Sequence, residues 1–269
     1  SRTSVNYVSD GLPGHWEPDP LNPGQRALGP AWGDVKPFTM TSGDQFRPGP
    51  PPSLTSEVWK RDLEEVKTFG AMNGSKRSVE QSAIAKFWEA TAPVVYWPVA
   101  RSVSSASGRD ITDNARFLAV AAMAMDDALI AVFDAKYTYL FWRPVTAIRN
   151  ADVDDNARTV VDPGWSPFLT TPQHPEYPAA HGVIQTAGTR VLERYFGQHY
   201  GFDTTSPTVP GVTRHYDDFD AFAEEGGFAR ILGGMHFRNS VEVGHREGKS
   251  VANWILEHCL TPLGDDGER

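Results

Sequence analysis

Cysteine is almost missing: Cys259 stands alone among 269 residues, so no intrachain disulfide can form and cysteine usage leaves the redox compartment open. Its expected state is a small buried hydrophobe. Basic residues are the minority, 25 Lys and Arg against 34 Asp and Glu, for a formal net charge of -9. That balance speaks against a nucleic-acid partner, because a phosphate backbone calls for a basic patch. Any anion must be met locally. Long apolar runs are missing as well. The longest, Phe117 to Phe133, is interrupted by Asp126 and Asp127, short of the roughly 18 apolar residues that mark a membrane span. The chain opens at Ser1 without a charged start leading into an apolar core, so the expectation is a leader already removed or trimmed. The expected location is secreted or periplasmic, with the cytoplasm left open.

Several catalytic signatures are also absent. No GxSxG elbow, P-loop, HExxH pair or paired cysteines occur, which removes common hydrolase, nucleotide-binding and zinc readings. His15, His199, His215, His245 and His258 stand in none of these arrangements. Asp152-Val-Asp-Asp155 resembles a calcium loop superficially but lacks its glycine and terminal glutamate, and is read as a solvated loop.

What the chain does have is a sharp shift of composition. Residues 1–54 are dense in Pro and Gly, ending in Arg47-Pro-Gly-Pro-Pro-Pro-Ser53, without a 3.6-residue period. Tyr7, Trp16, Trp32, Phe38 and Phe46 predict an extended arm packed along a body rather than a free tail. Helical spacing starts near Ser56 with Val58, Leu63, Val66 and Phe69. Ser78, three residues before Gln81, predicts a capping box; Pro93 and Pro98 are expected to limit or kink the helix that follows. Thr112 or Asp113 is expected to cap an Ala-rich helix running toward Phe133. Further helices are predicted from His181 to Phe196, stopped by Gly197, from Asp217 onward, and from Ser240 to Leu260. With no convincing β-alternation and no repeat, the predicted class is all-α, a helical bundle over residues 55–269.

Three elements carry chemistry. Lys136 and Arg143 are seven residues apart, nearly two helical turns, so both cations can face one pocket, with Pro144 ending or kinking the helix beside Arg143. His174-Pro-Glu-Tyr-Pro-Ala-Ala-His181 leads from a Pro-rich approach into a helix start, where free N–H groups and the helix dipole favour an anion and His181 adds a titratable group. Arg230-Ile-Leu-Gly-Gly-Met-His236 places a third cation six residues before another histidine, with Gly233-Gly234 allowing the backbone to bend between them.

In order and spacing these elements fit the pattern K-x6-R-P, P-S-G-H and R-x5-H, and over residues 5–260 the chain resembles the vanadium-dependent haloperoxidases and the related type 2 phosphatidic acid phosphatases (PAP2). The resemblance implies their helical bundle. It implies that Lys136, Arg143, Arg230 and the Ala180 backbone hold vanadate, with phosphate able to occupy the same site. It makes His236 the vanadium ligand and His181 the acid/base histidine, and it makes His174 and Phe133 candidates for tuning halide choice or proton flow. Hydrogen peroxide, a halide and a small organic substrate are the implied partners. The rival activity is a PAP2-type phosphatase with a phosphohistidine on His236; a third reading is a non-catalytic anion binder. Three positions depart from the pattern. Ala179 and Ala180 stand for the family's serine and glycine, and Ser240 for an aspartate four residues after the histidine. Larger family members carry further helices before this region, so the expectation is either a fragment of a longer protein or a half-bundle completed by a second copy or another chain.

Overall fold

In the computed structural model, which describes residues 6–261, eight α-helices provide most of the regular backbone. Helix α1 (Glu57–Phe69) starts where the Ser56 hydroxyl accepts the Trp59 N–H at 3.1 Å, and it buries Trp59, Leu63 and Val66 along one face. Helix α2 (Val79–Phe87) has the expected capping box: Ser78 Oγ accepts from Gln81 N, and Gln81 Oε1 accepts from Ser78 N. Helix α3 (Ala92–Ala106) continues through Pro98 rather than ending there. Val95, Tyr96, Val99, Ala100 and Val103 are all buried on it, and this packing offsets the backbone hydrogen bond that the proline removes. Helix α4 (Ile111–Tyr139) is capped by Asp110, whose carboxylate accepts the Asp113 N–H at 2.9 Å, earlier than Thr112 or Asp113.

Helix α5 (Pro144–Arg149) is short; α6 (Ala180–Phe196) stops at Gly197 with φ +90°, and α7 (Phe219–Leu232) is capped by Asp218. Helix α8 (Arg238–His258) closes the bundle, with Cys259 only half-buried just beyond it. Between α6 and α7 lies a hairpin that the sequence pattern does not announce. Strand β1 (Phe202–Thr205) pairs antiparallel with β2 (Thr213–Tyr216). Four residues per strand are too few for alternation to stand out, and Phe202 and Tyr216 are held instead by aromatic contacts to Phe222 at 5.4 and 5.1 Å. No helix among the described residues is long and apolar enough to cross a membrane.

The helices enclose two main cores. One joins α3, α4, α6, α7 and α8 around Tyr96, Phe117, Phe222 and Ile255. The other surrounds Trp59, Trp142 and Phe237, with Trp59 stacked on Trp142 at 5.8 Å. Asp154 is buried in support of the second core, accepting the Trp59 Nε1–H at 2.9 Å. The acidic segment 152–155 is therefore anchored at Asp154 and not a wholly solvated loop.

Residues 6–54 contribute loops and one 3-10 turn, Trp32–Asp34. The buried Asp127 carboxylate accepts N–H bonds from Phe38, Thr39 and Met40 and the Thr39 hydroxyl. Arg47 forms a bidentate pair with Asp134 at 2.6 and 2.8 Å. At Gly33 a Cβ would stand 2.6 Å from the Asp134 Cα, so only glycine permits this approach to α4.

Candidate anion site at the junction of two cores

Phe133, Ala180 and Ala229 belong to one core; Trp142, Ala179 and Phe237 belong to the other. The polar residues next to them in sequence meet at the seam. Lys136, Arg143, His174, Glu176, Arg230 and His236 are all buried there.

Lys136 and Arg143 do not share a helix face. Helix α4 ends with Leu140 in the left-handed region (φ 50°), and the chain turns back so that Arg143 extends from the cap position of α5. The seven-residue spacing thus brings the two cations together by chain reversal and not by helical periodicity. Lys136 Nζ donates to the carbonyls of Pro175, Glu176 and Pro178 at 2.9, 2.8 and 2.5 Å. An ammonium has three donors, so all of them are engaged. Arg143 donates through Nε to the His174 carbonyl at 2.9 Å and through Nη1 to the Met235 carbonyl at 2.9 Å. It also meets His236 Nε2 through Nη1 and His174 Nδ1 through Nη2, each at 3.1 Å.

The support of His236 comes from a residue the motifs do not single out. Glu176 Oε1 accepts from His236 Nδ1 at 2.7 Å and from the Phe237 N–H at 2.9 Å. A proton on Nδ1 leaves Nε2 with its lone pair in the neutral ring, which is the form a metal or phosphorus ligand needs. Position 240, four residues after His236, carries a buried serine in place of the aspartate of the resembled pattern, and it is Glu176 that bonds His236. Pro175-Glu176-Tyr177 carries one hint: a charge between residues bound for the interior needs a partner there.

Arg230 and His181 line the other side. Arg230 Nη1 donates to the Trp88 carbonyl at 3.0 Å and Nη2 reaches Met235 Sδ at 3.1 Å, while its buried Nε has no partner. Met235 connects it to Arg143 through its carbonyl, because Gly234 (φ +80°) turns the chain tightly between α7 and His236. His181 Nε2 bonds the Ala90 carbonyl at 2.9 Å and so carries the proton, leaving Nδ1 as the acceptor. Helix α6 begins here with Ala179 as its cap, without a side-chain hydrogen bond. The first helical N–H groups, Ala180, His181 and Gly182, precede the Val183 N–H that bonds back to Ala179. His174 packs on Phe133 with ring centroids 5.3 Å apart.

Burial dominates the electrostatics. It lowers Lys136 well below the usual lysine range and Arg230 to about 9, with repulsion from neighbouring cations adding to it, and lowers Arg143 to about 10 against the pull of Glu176. His181 is lowered to about 3 by burial and then by Arg230; His174 and His236 are depressed well below the histidine range by burial and nearby cations. Burial raises Glu176 to about 7 although Lys136 and Arg143 pull it down. No carboxylate among the described residues is hydrogen-bonded to any of the three buried cations, and an anion would relieve that excess of positive charge. The unpaired Arg230 Nε and the open start of α6 offer donors for it. Chemically, the pocket can hold a tetrahedral oxyanion beside His236 Nε2, whose lone pair accepts from Arg143 Nη1 at 3.1 Å.

A family model described as the VCPO second helical-bundle domain matches residues 116–264. Vanadium chloroperoxidase of Curvularia inaequalis is 25% identical over 231 residues, covering 62% of this chain and 37% of that protein. The crystal structure of the first bacterial vanadium-dependent iodoperoxidase superposes with a TM-score of 0.83 at 29% identity, covering 96% of this chain and 63% of the other. A holo-type bacterial vanadium-dependent chloroperoxidase gives 0.71 at 20% identity over 95% and 65%, a likeness of fold. The chain spans about a third of the curated relative's length and under two thirds of each solved one.

Proposed function

The chain belongs to the family of the VCPO second helical-bundle domain, and from that premise we propose that it is the vanadate-binding core of a haloperoxidase. The observation that carries this reading is the seam itself: three buried cations and three buried or half-buried histidines meet there, and the one carboxylate among them, Glu176, is bonded to His236 and not to a cation.

In this reading Arg143, Arg230 and the Ala180 N–H would hold the oxygens of vanadate, and His236 Nε2 would be the ligand to vanadium. Vanadate, when bound, would supply the activation of hydrogen peroxide for oxidation of a halide to hypohalous acid. Lys136 contributes charge rather than a donor, since all three of its N–H groups are committed to carbonyls. Glu176 fixes the His236 tautomer. His181 holds a free Nδ1 as a proton acceptor, and a bound anion offsets the cation repulsion that depresses it, so its acid/base range moves upward on binding. Phe133 and His174 form the wall where a halide meets the site. The hypohalous acid then halogenates an organic molecule.

The testing experiment is bromide-dependent oxidation of a phenolic dye by peroxide after vanadate loading, beside His236→Ala and a phosphate-ester control. Activity that requires both vanadate and His236 is the expected result. Ester hydrolysis inhibited by vanadate assigns the phosphatase chemistry instead, and neither activity in folded protein assigns the anion-binding role that Ala179 and the committed Lys136 favour.

A further inference from the structure

Asp126 and Asp127 are adjacent in α4 and have opposite fates. Asp127 is fully buried and accepts hydrogen bonds from Phe38, Thr39 and Met40. Asp126 is half-buried and has no hydrogen-bond partner among the described residues, and burial raises its pKa, with the Asp127 charge adding to the effect. It faces a cavity of about 430 Å³ between α3, α4 and α6. One stripe of α4 lines this cavity: Ala122, Met125, Asp126, Leu129 and Phe133, at helical spacings of three and four. Trp97 of α3 and Ile184 of α6 extend the apolar wall. At the same cavity stand His174, Ala180 and His181, residues of the candidate anion site.

A cavity of this size, apolar apart from a few convergent polar groups, has the form of a small-molecule site. The single carboxylate on its wall serves no structural purpose, whereas its neighbour is wholly absorbed by one. We infer that the cavity binds the organic acceptor of the reaction, an aromatic molecule with an O–H or N–H donor, its ring against Trp97, Leu129 and Phe133 and its donor on Asp126. The inference rests on the haloperoxidase reading for the word acceptor and on the cavity alone for binding. Such placement sets an electron-rich ring beside His174 and His181, so that the halogenating species is captured before it diffuses away.

The test is calorimetric binding of 2-naphthol and, as a donor-free control, 2-methoxynaphthalene to vanadate-free protein, with vanadate affinity measured separately for each variant. Naphthol is expected to bind about tenfold more tightly than its methyl ether, and Asp126→Asn to erase most of that difference. Leu129→Trp is expected to block both ligands, and Ala122→Leu, a smaller filling at an exposed position, to weaken both. Vanadate affinity should stay within about twofold throughout, since none of these side chains holds the anion. Equal binding of the two ligands, or naphthol binding indifferent to Leu129→Trp and Ala122→Leu, overturns the inference. Cavity binding as described in a protein that neither binds vanadate nor oxidises bromide overturns the haloperoxidase reading and leaves the cavity assignment standing.

Discussion

The two sides of the seam differ in how much of their hydrogen-bonding capacity the fold has already used. On the side of Lys136, Arg143, Glu176 and His236, the lysine spends all its donors on three carbonyls, and Arg143 engages four groups. On the side of Arg230, His181 and the start of α6, one guanidinium nitrogen is orphaned, one imidazole nitrogen is unclaimed and the helix cap has no side-chain partner. The first side is scaffold as well as site; the second is held in reserve for a ligand. The departure from the family pattern at Ala179 falls on the second side, where a lost hydroxyl removes a ligand contact without disturbing the network that supports His236.

Substitutions can break this comparison or sharpen it. The largest effect is expected at Arg143. Arg143→Ala removes a charge-assisted anchor of the anion and leaves buried carbonyls and His236 unpaired, so vanadate affinity should fall about a hundredfold or more and the thermal midpoint should fall with it. Arg230→Ala should weaken binding similarly but lower the midpoint less, since the fold uses fewer of its donors; equal midpoint losses would erase the distinction between the sides. Glu176→Gln comes next. Loss of the carboxylate that fixes the His236 tautomer should cost roughly 10- to 100-fold in vanadate affinity, with the nitrogen shifts of His236 by NMR reporting the change.

Ala179→Ser tests the open side by addition. A restored hydroxyl is expected to tighten oxyanion binding about two- to tenfold, the worth of one hydrogen bond, read by calorimetry with vanadate or phosphate. A pH-dependent effect lies beside the seam, at a carboxyl that feels the Lys136 charge. Glu247 is buried with both carboxylate oxygens unpaired, and burial raises its pKa to about 8. Its folded value lies above its unfolded one, so the stability it contributes is complete below about pH 4.5 and is lost as pH rises through about 8. Glu247→Gln should therefore leave urea midpoints unchanged near pH 4.5 and raise them at pH 9.

Much of this arrangement is legible from local rules. Ser56 and Ser78 begin helices through their hydroxyls and Gly197 ends one at a positive φ that the lack of a side chain permits, and the cations and histidines at motif spacing do converge. What escapes local reading depends on the whole chain. Pro98 is tolerated because α3 buries a full apolar face. Arg143 reaches Lys136 through the reversal at Leu140, which no period predicts. Glu176 becomes the partner of His236 across 60 residues, and neighbours in sequence do not show which buried carboxylate will be chosen. The same holds for Asp126 and Asp127, identical in type and separated only by the direction each faces from α4.

The most direct test of the central claim is equilibrium vanadate binding to the wild-type protein and to Arg230→Ala, followed by calorimetry with phosphate as competitor. Saturable binding, competed by phosphate and lost in Arg230→Ala while the variant remains folded, is the predicted result. Absence of saturable binding in folded wild-type protein, or binding indifferent to Arg230, would contradict it.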